Sequence, residues 1–488
     1  TKLIASNGGG SGAIVYDVFA SLSVVDLKVQ DDLTVTDDLI VNGDIDLEGS
    51  IDVNGTSNLN IVDIDGAVNF AADVTFADGA DIITASAGNN NTRVGTNAGF
   101  SIASGGNSNV CIGDEAGRSL TTGDANVALG HEALYFEDAH GYNTAVGYRA
   151  LKTLNAGADA FNTAIGYNSG TAITTGINNT FFGSQSGFTN TTGNNNTAGG
   201  HLSFYTNTSG ANNVAYGKNS MYHNTTGNNN TALGYYALQA NTTGYNNVAV
   251  GNSAGYHNTS GIQNCSFGLN SLLNTTTGSA NCGFGYATLQ TNSTGVSNTA
   301  VGDSAMITNS TGNNNVAVGR DSLKVNTTGS SNVAIGYSAL SKNTTGYNNF
   351  AVGQTTLVNN TTGHSNNAVG TQSQNACTTG TLNNSLGFNS LLAMTTGTQN
   401  TAIGHHCLDT LTTGIGNSAI GIESGTAMTT GAYNVTLGRY AGNNITTGSY
   451  NTCVGNDCTV GTITASFQIV IGHGQVGKGN GTTQIAGP

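Results

Sequence analysis

Only a few stretches of this chain hold residue types at spacings that could do chemistry. His405-His406-Cys407 sets two imidazoles beside a thiol, donors that suit zinc, but it is one isolated cluster at variable positions. Gly472 to Gly479 is a glycine-rich run with Lys478, yet it lacks the Gly-Lys-Ser/Thr ending and the helix that phosphate cradling requires. Asp44, Asp46 and Glu48 before Gly49 alternate as calcium ligands do, and so do Asp63 and Asp65 before Gly66. Solvated turn carboxylates account for the same pattern. No Ser/His/Asp constellation or carboxylate pair presents itself, because acids thin out beyond Glu137-Asp138. The expectation is a chain with no catalytic residues, no metal and no cofactor.

Binding chemistry is better represented. Tyr148, Tyr167, Tyr235, Tyr286 and Tyr337 each follow a recurring glycine, where a side chain leaves the core. Aromatic faces on a polar Asn/Thr surface can hold the apolar side of sugar rings; the alternative is that they pack between chains or shield the edges of repeats. His473 and Lys478 sit near the end of the repeats, at an expected receptor-contacting tip.

What positions these residues is a repeat. The glycine after a short apolar run recurs at Gly95, Gly113, Gly130, Gly147, Gly166 and Gly183, then every 17 residues to Gly472, making 23 copies. Only two spacings differ, 18 from Gly95 to Gly113 and 19 from Gly147 to Gly166. A period this strict predicts a solenoid in which each repeat is one coil stacked on the next. Four residues before each glycine stands Asn, replaced by Gln468 in the last copy; then come Thr or Val, usually Ala, and Val, Ile, Leu or Phe. This alternation predicts a short strand ending at the glycine. A small residue and then Leu, Met or Gly past the glycine predicts a second, shorter strand. Asn-Thr-Thr-Gly closes the coil as a turn.

Parallel coils about 4.8 Å apart place like residues over one another, so Asn213, Asn230, Asn247, Asn298, Asn315 and Asn332 should form an amide ladder. The Val, Ile and Leu positions are expected to fill a thin core, giving a rod roughly 105 Å long. Asn190, Asn224, Asn241, Asn326, Asn343 and Asn360 match the glycosylation acceptor pattern, which the turn consensus explains better. The seven cysteines fall in repeat positions and read as small buried thiols.

The rest of the chain is organised differently. Residues 1–26, with Asn7 to Gly12 as a hinge, read as an attachment segment. Residues 27–85 carry apolar pairs every six residues (Leu27/Val29, Leu33/Val35, Leu39/Val41) between acidic turns. Three chains sharing one axis could bury both residues of each pair in a triangular β-prism; a single-chain left-handed β-helix competes. Residues 86–472 form the solenoid and 473–488 its tip or cap. Of the net charge of −15, residues 1–81 carry −13, fifteen acids against Lys2 and Lys28, which argues against a nucleic-acid partner. No apolar run is long enough to span a membrane as a helix, and no signal peptide is expected at the N-terminus.

The stretch of six-residue repeats from Asp31 to Thr56, followed by Asn-Thr-Ala-Val-Gly repeats, resembles the tail fibres of marine bacteriophages, cyanophages especially. The repeat core is also similar to the Asn-Ser-Val-Ala-Ile-Gly motif in the heads of YadA-type trimeric autotransporter adhesins, which are trimers of left-handed parallel β-rolls. The repeat of 17 is longer than the adhesin's, and the chain shows neither a helical stalk nor a membrane-anchor barrel, nor the C-terminal chaperone of many related fibres. The resemblance therefore implies an all-β, elongated homotrimer of β-solenoids behind a β-prism shaft. It implies a virion fibre joined to a tail or adaptor protein through its N-terminus, binding a host-surface glycan or protein. A bacterial extracellular adhesin or structural filament is the alternative, and an ice-binding solenoid a weaker one.

Overall fold

The structure, a computed structural model, describes residues 87–486 together with a two-residue antiparallel pairing of Ala5–Ser6 with Val15–Tyr16. The expected shaft of residues 27–85 and its carboxylates lie outside the described residues. The chain divides into two units, Thr1–Ala80 and Asp81–Pro488, and the repeats belong to the second.

Among the described residues, twenty-four three-residue strands form one parallel ladder, from Thr92–Val94 to Thr483–Ile485. The first pairs only forward to Val110–Ile112 and the last only back to Ile469–Ile471, so the ladder is an open stack rather than a closed barrel. Register is strict, with Val248, Ala249 and Val250 opposite Cys265, Ser266 and Phe267 one coil on. The second unit is an all-β parallel solenoid with one strand per coil.

Every strand but the first and last buries its middle residue, and the flanking two face outward as in Val248–Val250, Val333–Ile335 and Thr401–Ile403. Asn247 and Ala249 therefore share the inward face, as residues two apart on a strand must, and both are fully buried. This corrects the expectation that the Val, Ile or Leu before the glycine fills the core. Ile335 is 39% exposed, Leu386 51% and Ile403 38%. The core is instead built from the Ala column and from a second column four residues past the glycine, which includes Leu238, Leu272, Leu323 and Leu340, with residues seven past it, such as Leu120, Ile173, Met394 and Met428, joining toward either end.

That second column is not the short strand expected. Leu323 has φ 47°, Leu340 51° and Met306 53°, all in the left-handed region, so the stretch is a tight winding in which positive and negative φ alternate. Its amides still bond along the stack, as Leu238 N does to Ala254 O at 2.9 Å. A leucine in this conformation costs roughly 1–2 kcal/mol, less than the roughly 1.5–3 kcal/mol gained by burying its side chain. Gly255 takes the same position without the strain, and the Leu238 side chain of the previous coil lies 3.0 Å from where its Cβ would be.

The core parts into two blocks, Ala98 to Ala254 and Leu272 to Val470. At the join lies a cavity of about 10 Å³ lined by Gly255, Asn258, Leu272 and Thr275. The buried Asn258 Oδ1 and Thr275 Oγ1 have no partner there. Thr275 stands where neighbouring coils carry an inward asparagine, so Thr275→Asn should give Asn258 Oδ1 a donor and stabilise by about 1 kcal/mol. A melting curve of the variant that is no higher than wild type would contradict this account of the join.

Candidate binding surface

The residues of the Asn ladder lie inside the coil and bond along it. Asn315 Oδ1 accepts from the backbone N–H of Asn332 at 2.9 Å, and Asn315 Nδ2 donates to Gly329 O at 2.9 Å. Amide-to-amide contacts are longer, such as Asn332 Nδ2 to Asn315 Oδ1 at 3.2 Å. Asn213, Asn230, Asn247, Asn298 and Asn332 repeat this arrangement. Their role is to hold the winding, because the side chain substitutes for backbone partners that a bend would leave orphaned.

Sequence reasoning missed a second internal ladder, formed by the first Asn of the closing turn. Asn241 Nδ2 donates to Asn224 Oδ1 at 2.7 Å and to Gly244 O at 3.0 Å. Asn190, Asn224, Asn241, Asn326, Asn343 and Asn360 are all fully buried, so the folded chain keeps these acceptor motifs from any glycosylating enzyme. The next residue, as in Thr242 and Thr344, donates its hydroxyl to a threonine carbonyl one coil on. The threonine after that, as in Thr243 and Thr345, is exposed. It forms a rank of hydroxyls one residue wide.

The five tyrosines share one column, directly after the glycine column. Tyr148 and Tyr167 stack at 5.3 Å and 11°, with His131 on the other side of Tyr148 at 5.3 Å. The Arg149 guanidinium lies 4.8 Å over Tyr148, and Glu132 joins Arg149 to Lys152. Partial burial pushes Glu132 up, but Lys152 and Arg149 outweigh it and hold the carboxyl below its usual range. Tyr235 leans on Tyr236 at 3.9 Å. Tyr167 and Tyr286 are each 53% exposed and Tyr337 is 47%. His473 falls in the same column and its Nδ1 accepts from Asn456 Nδ2 at 3.0 Å, while Lys478 is exposed in the following loop. Ring stacks that sequence reasoning did not single out include Phe188–Tyr205–Tyr222 at 5.0 and 4.9 Å and Tyr433–Tyr450–Phe467 at 5.1 and 4.9 Å. Each is a one-coil register match, visible only once the spacing of 17 is applied to every position.

The metal-like cluster at His405 to Cys407 is taken apart by the fold. Cys407 is fully buried with its thiol donating to Ala419 O at 3.3 Å, whereas His406 faces Asp409 at 2.9 Å and His405 stacks on Phe388. Elsewhere among the described residues, Glu137, Asp138 and His140 bring three ligand atoms within 4.8 Å of one another. Glu137 is fully buried in the position that the inner asparagines take in other coils, and burial raises its pKa against the opposing pull of His140. Its Oε1 already accepts from the Asp138 and His140 amides and meets His140 Nδ1 at 3.1 Å, which caps the irregular turn. The cysteines are free; Cys265 and Cys282 are register partners on the outward strand face.

No family model and no curated protein matches this sequence. No helix of the described residues is long and apolar enough to cross a membrane. The widest exposed feature is apolar. The outward residue before the glycine is Leu129, Phe182, Phe284, Ile335, Ile420 or Leu437 in different coils, each 39–45% exposed. With Val214, Val248 and Val316 beside it on the outer strand face, it makes a stripe about 110 Å long over 23 steps of 4.8 Å.

Proposed function

We propose that this chain is a subunit of an elongated homotrimeric fibre, carried on a virion, that attaches to a receptor on the host-cell surface. The observation that carries the reading is the apolar stripe. Monomeric soluble proteins rarely expose a contiguous apolar patch beyond a few hundred Å², and a stripe that follows the whole ladder needs a cover of equal length. Only a partner with the same rise can match an apolar side chain in every coil but that of Gly199, and a second copy of this chain has that rise. Three copies around one axis also suit the paired apolar residues of the six-residue repeats, which a trimeric prism shaft at 27–85 would enclose. The N-terminal segment then joins a tail or adaptor protein and leaves the solenoid surface for a glycan or protein receptor. The proposal includes no catalytic role.

The decisive measurement is mass in solution. Light scattering should give three times the chain mass of 49.2 kDa. Ile335→Asp with Ile403→Asp sets like charges against each other across the shared face, and should reduce the particle to single chains with their circular dichroism unchanged. A wild-type chain that scatters as a monomer would sink the trimer. Detection in purified virions separates the fibre from a bacterial extracellular adhesin or filament. The ice-binding reading has one exposed rank of threonines in its favour; a rank one residue wide matches a lattice in one direction only, and thermal hysteresis tests it.

A further inference from the structure

We propose that one face of the solenoid is a repeated binding site for a linear, uncharged glycan, built from the column of residues that follows the glycine column. The inference rests on the receptor-binding reading above and adds the face, the ligand class and the spacing. Aromatic residues recur in this column at Tyr235, Tyr286, Tyr337 and Phe388, each 51 residues, or three coils, after the one before. One coil beyond each stands a hydrogen-bonding side chain: Asn252, Asp303, Gln354 and His405. The rings are 41%, 53%, 47% and 42% exposed, and all four polar partners are exposed. Four like pairs therefore line one edge of the stack, roughly 14 Å apart.

A sugar ring has an apolar C–H face and a rim of hydroxyls. An aromatic face meets the first, and an amide, carboxylate or imidazole about 4.8 Å further along the stack meets the second. The pairs are held in place: Phe388 stacks on His405 at 5.2 Å, and Tyr235 leans on Tyr236, without either ring being covered. A protein partner would favour aromatics gathered at the centre of one patch, whereas within this column two positions without tyrosine or phenylalanine separate each ring from the next. Single-stranded nucleic acid also stacks on aromatics but needs a basic groove, and the charged side chains of this stretch of the column are Asp303 and Arg320, which face each other at 3.9 Å. Neutral surroundings select a neutral ligand. Each pair alone binds weakly, while a polymer engaging several on a rigid scaffold gains by effective concentration.

The test is a microarray of linear neutral polysaccharides (dextran, amylose, mannan, xylan and galactan) with size-graded fragments, probed with the full chain. The expected result is binding to at least one polymer, with fragments that span two pairs held at least tenfold more tightly than fragments that span one. Tyr286→Ala with Tyr337→Ala should weaken binding at least tenfold at unchanged melting temperature and particle mass, and Tyr245→Ala, an exposed tyrosine outside the column, should not. No binding on the array, or wild-type binding by the double variant, overturns the proposal, as does loss of the oligomer in that variant, which would make the rings contacts between chains. If the double variant still attaches to host cells, the receptor reading stands and this face is not its site. If the wild-type chain attaches to no cells, the receptor reading itself fails.

Discussion

Asn315→Asp should destabilise the middle of the solenoid more than Asn315→Ala does. The alanine variant removes the acceptor for the Asn332 amide and the donor to Gly329 O. Two buried groups left unpaired cost about 1–3 kcal/mol each. Aspartate keeps the acceptor but loses the donor, and it places a carboxylate in a fully buried position beside Asn298 Oδ1, the acceptor now 3.1 Å from Asn315 Nδ2. An unpaired buried charge costs about 3–5 kcal/mol. The sign with pH is fixed by the same physics. Burial raises the introduced carboxyl's pKa above its unfolded value, so protonation favours the folded state and the deficit shrinks as pH falls through that raised pKa. Denaturant melts at neutral and acidic pH measure this directly. Equal losses for both variants at all pH values would mean that the ladder acts through packing alone.

Gly319→Ala should be at least as damaging, for a reason unrelated to hydrogen bonds. Gly319 has φ 127°, and a Cβ added there would sit 2.7 Å from Gly336 O and 2.8 Å from Gly336 C of the next coil. Those are backbone atoms, which cannot swing aside as a side chain can. Their shift would carry to Gly353, whose carbonyl already lies 2.5 Å from the equivalent point over Gly336. The strained φ contributes about 1–3 kcal/mol, and the separation of two coils adds to it. Because each coil contacts chiefly its neighbours, the damage should be local: hydrogen exchange and proteolysis should open the coils around Gly319 while the distant ends stay protected. Uniform loss of protection along the chain would show instead that the stack unfolds as one unit.

Both positions were legible in the sequence, and for Asn315 so was its place in a ladder; that the ladder bonds chiefly to backbone, and that Gly319 lies against the backbone of the next coil, came from the structure. The period of 17, the strand before each glycine and the stacking of like residues could all be read from residue order, because in-register stacking forces each position to repeat its own kind. Which way each position faces was decided by the winding. The apolar residue before the glycine resembles a core residue by composition, yet Asn and Ala two apart take the inside, and Ile335 and its equivalents are turned out by strand geometry alone. The leucines past the glycine pass for a strand, but left-handed φ values bend that stretch into a turn, a conformation that local preference disfavours and only burial in the stack sustains. The inner asparagines of Asn-Thr-Thr-Gly look like a solvated turn; their amides lie inside because each finds its partner seventeen residues away, a contact that exists only once the coils are stacked.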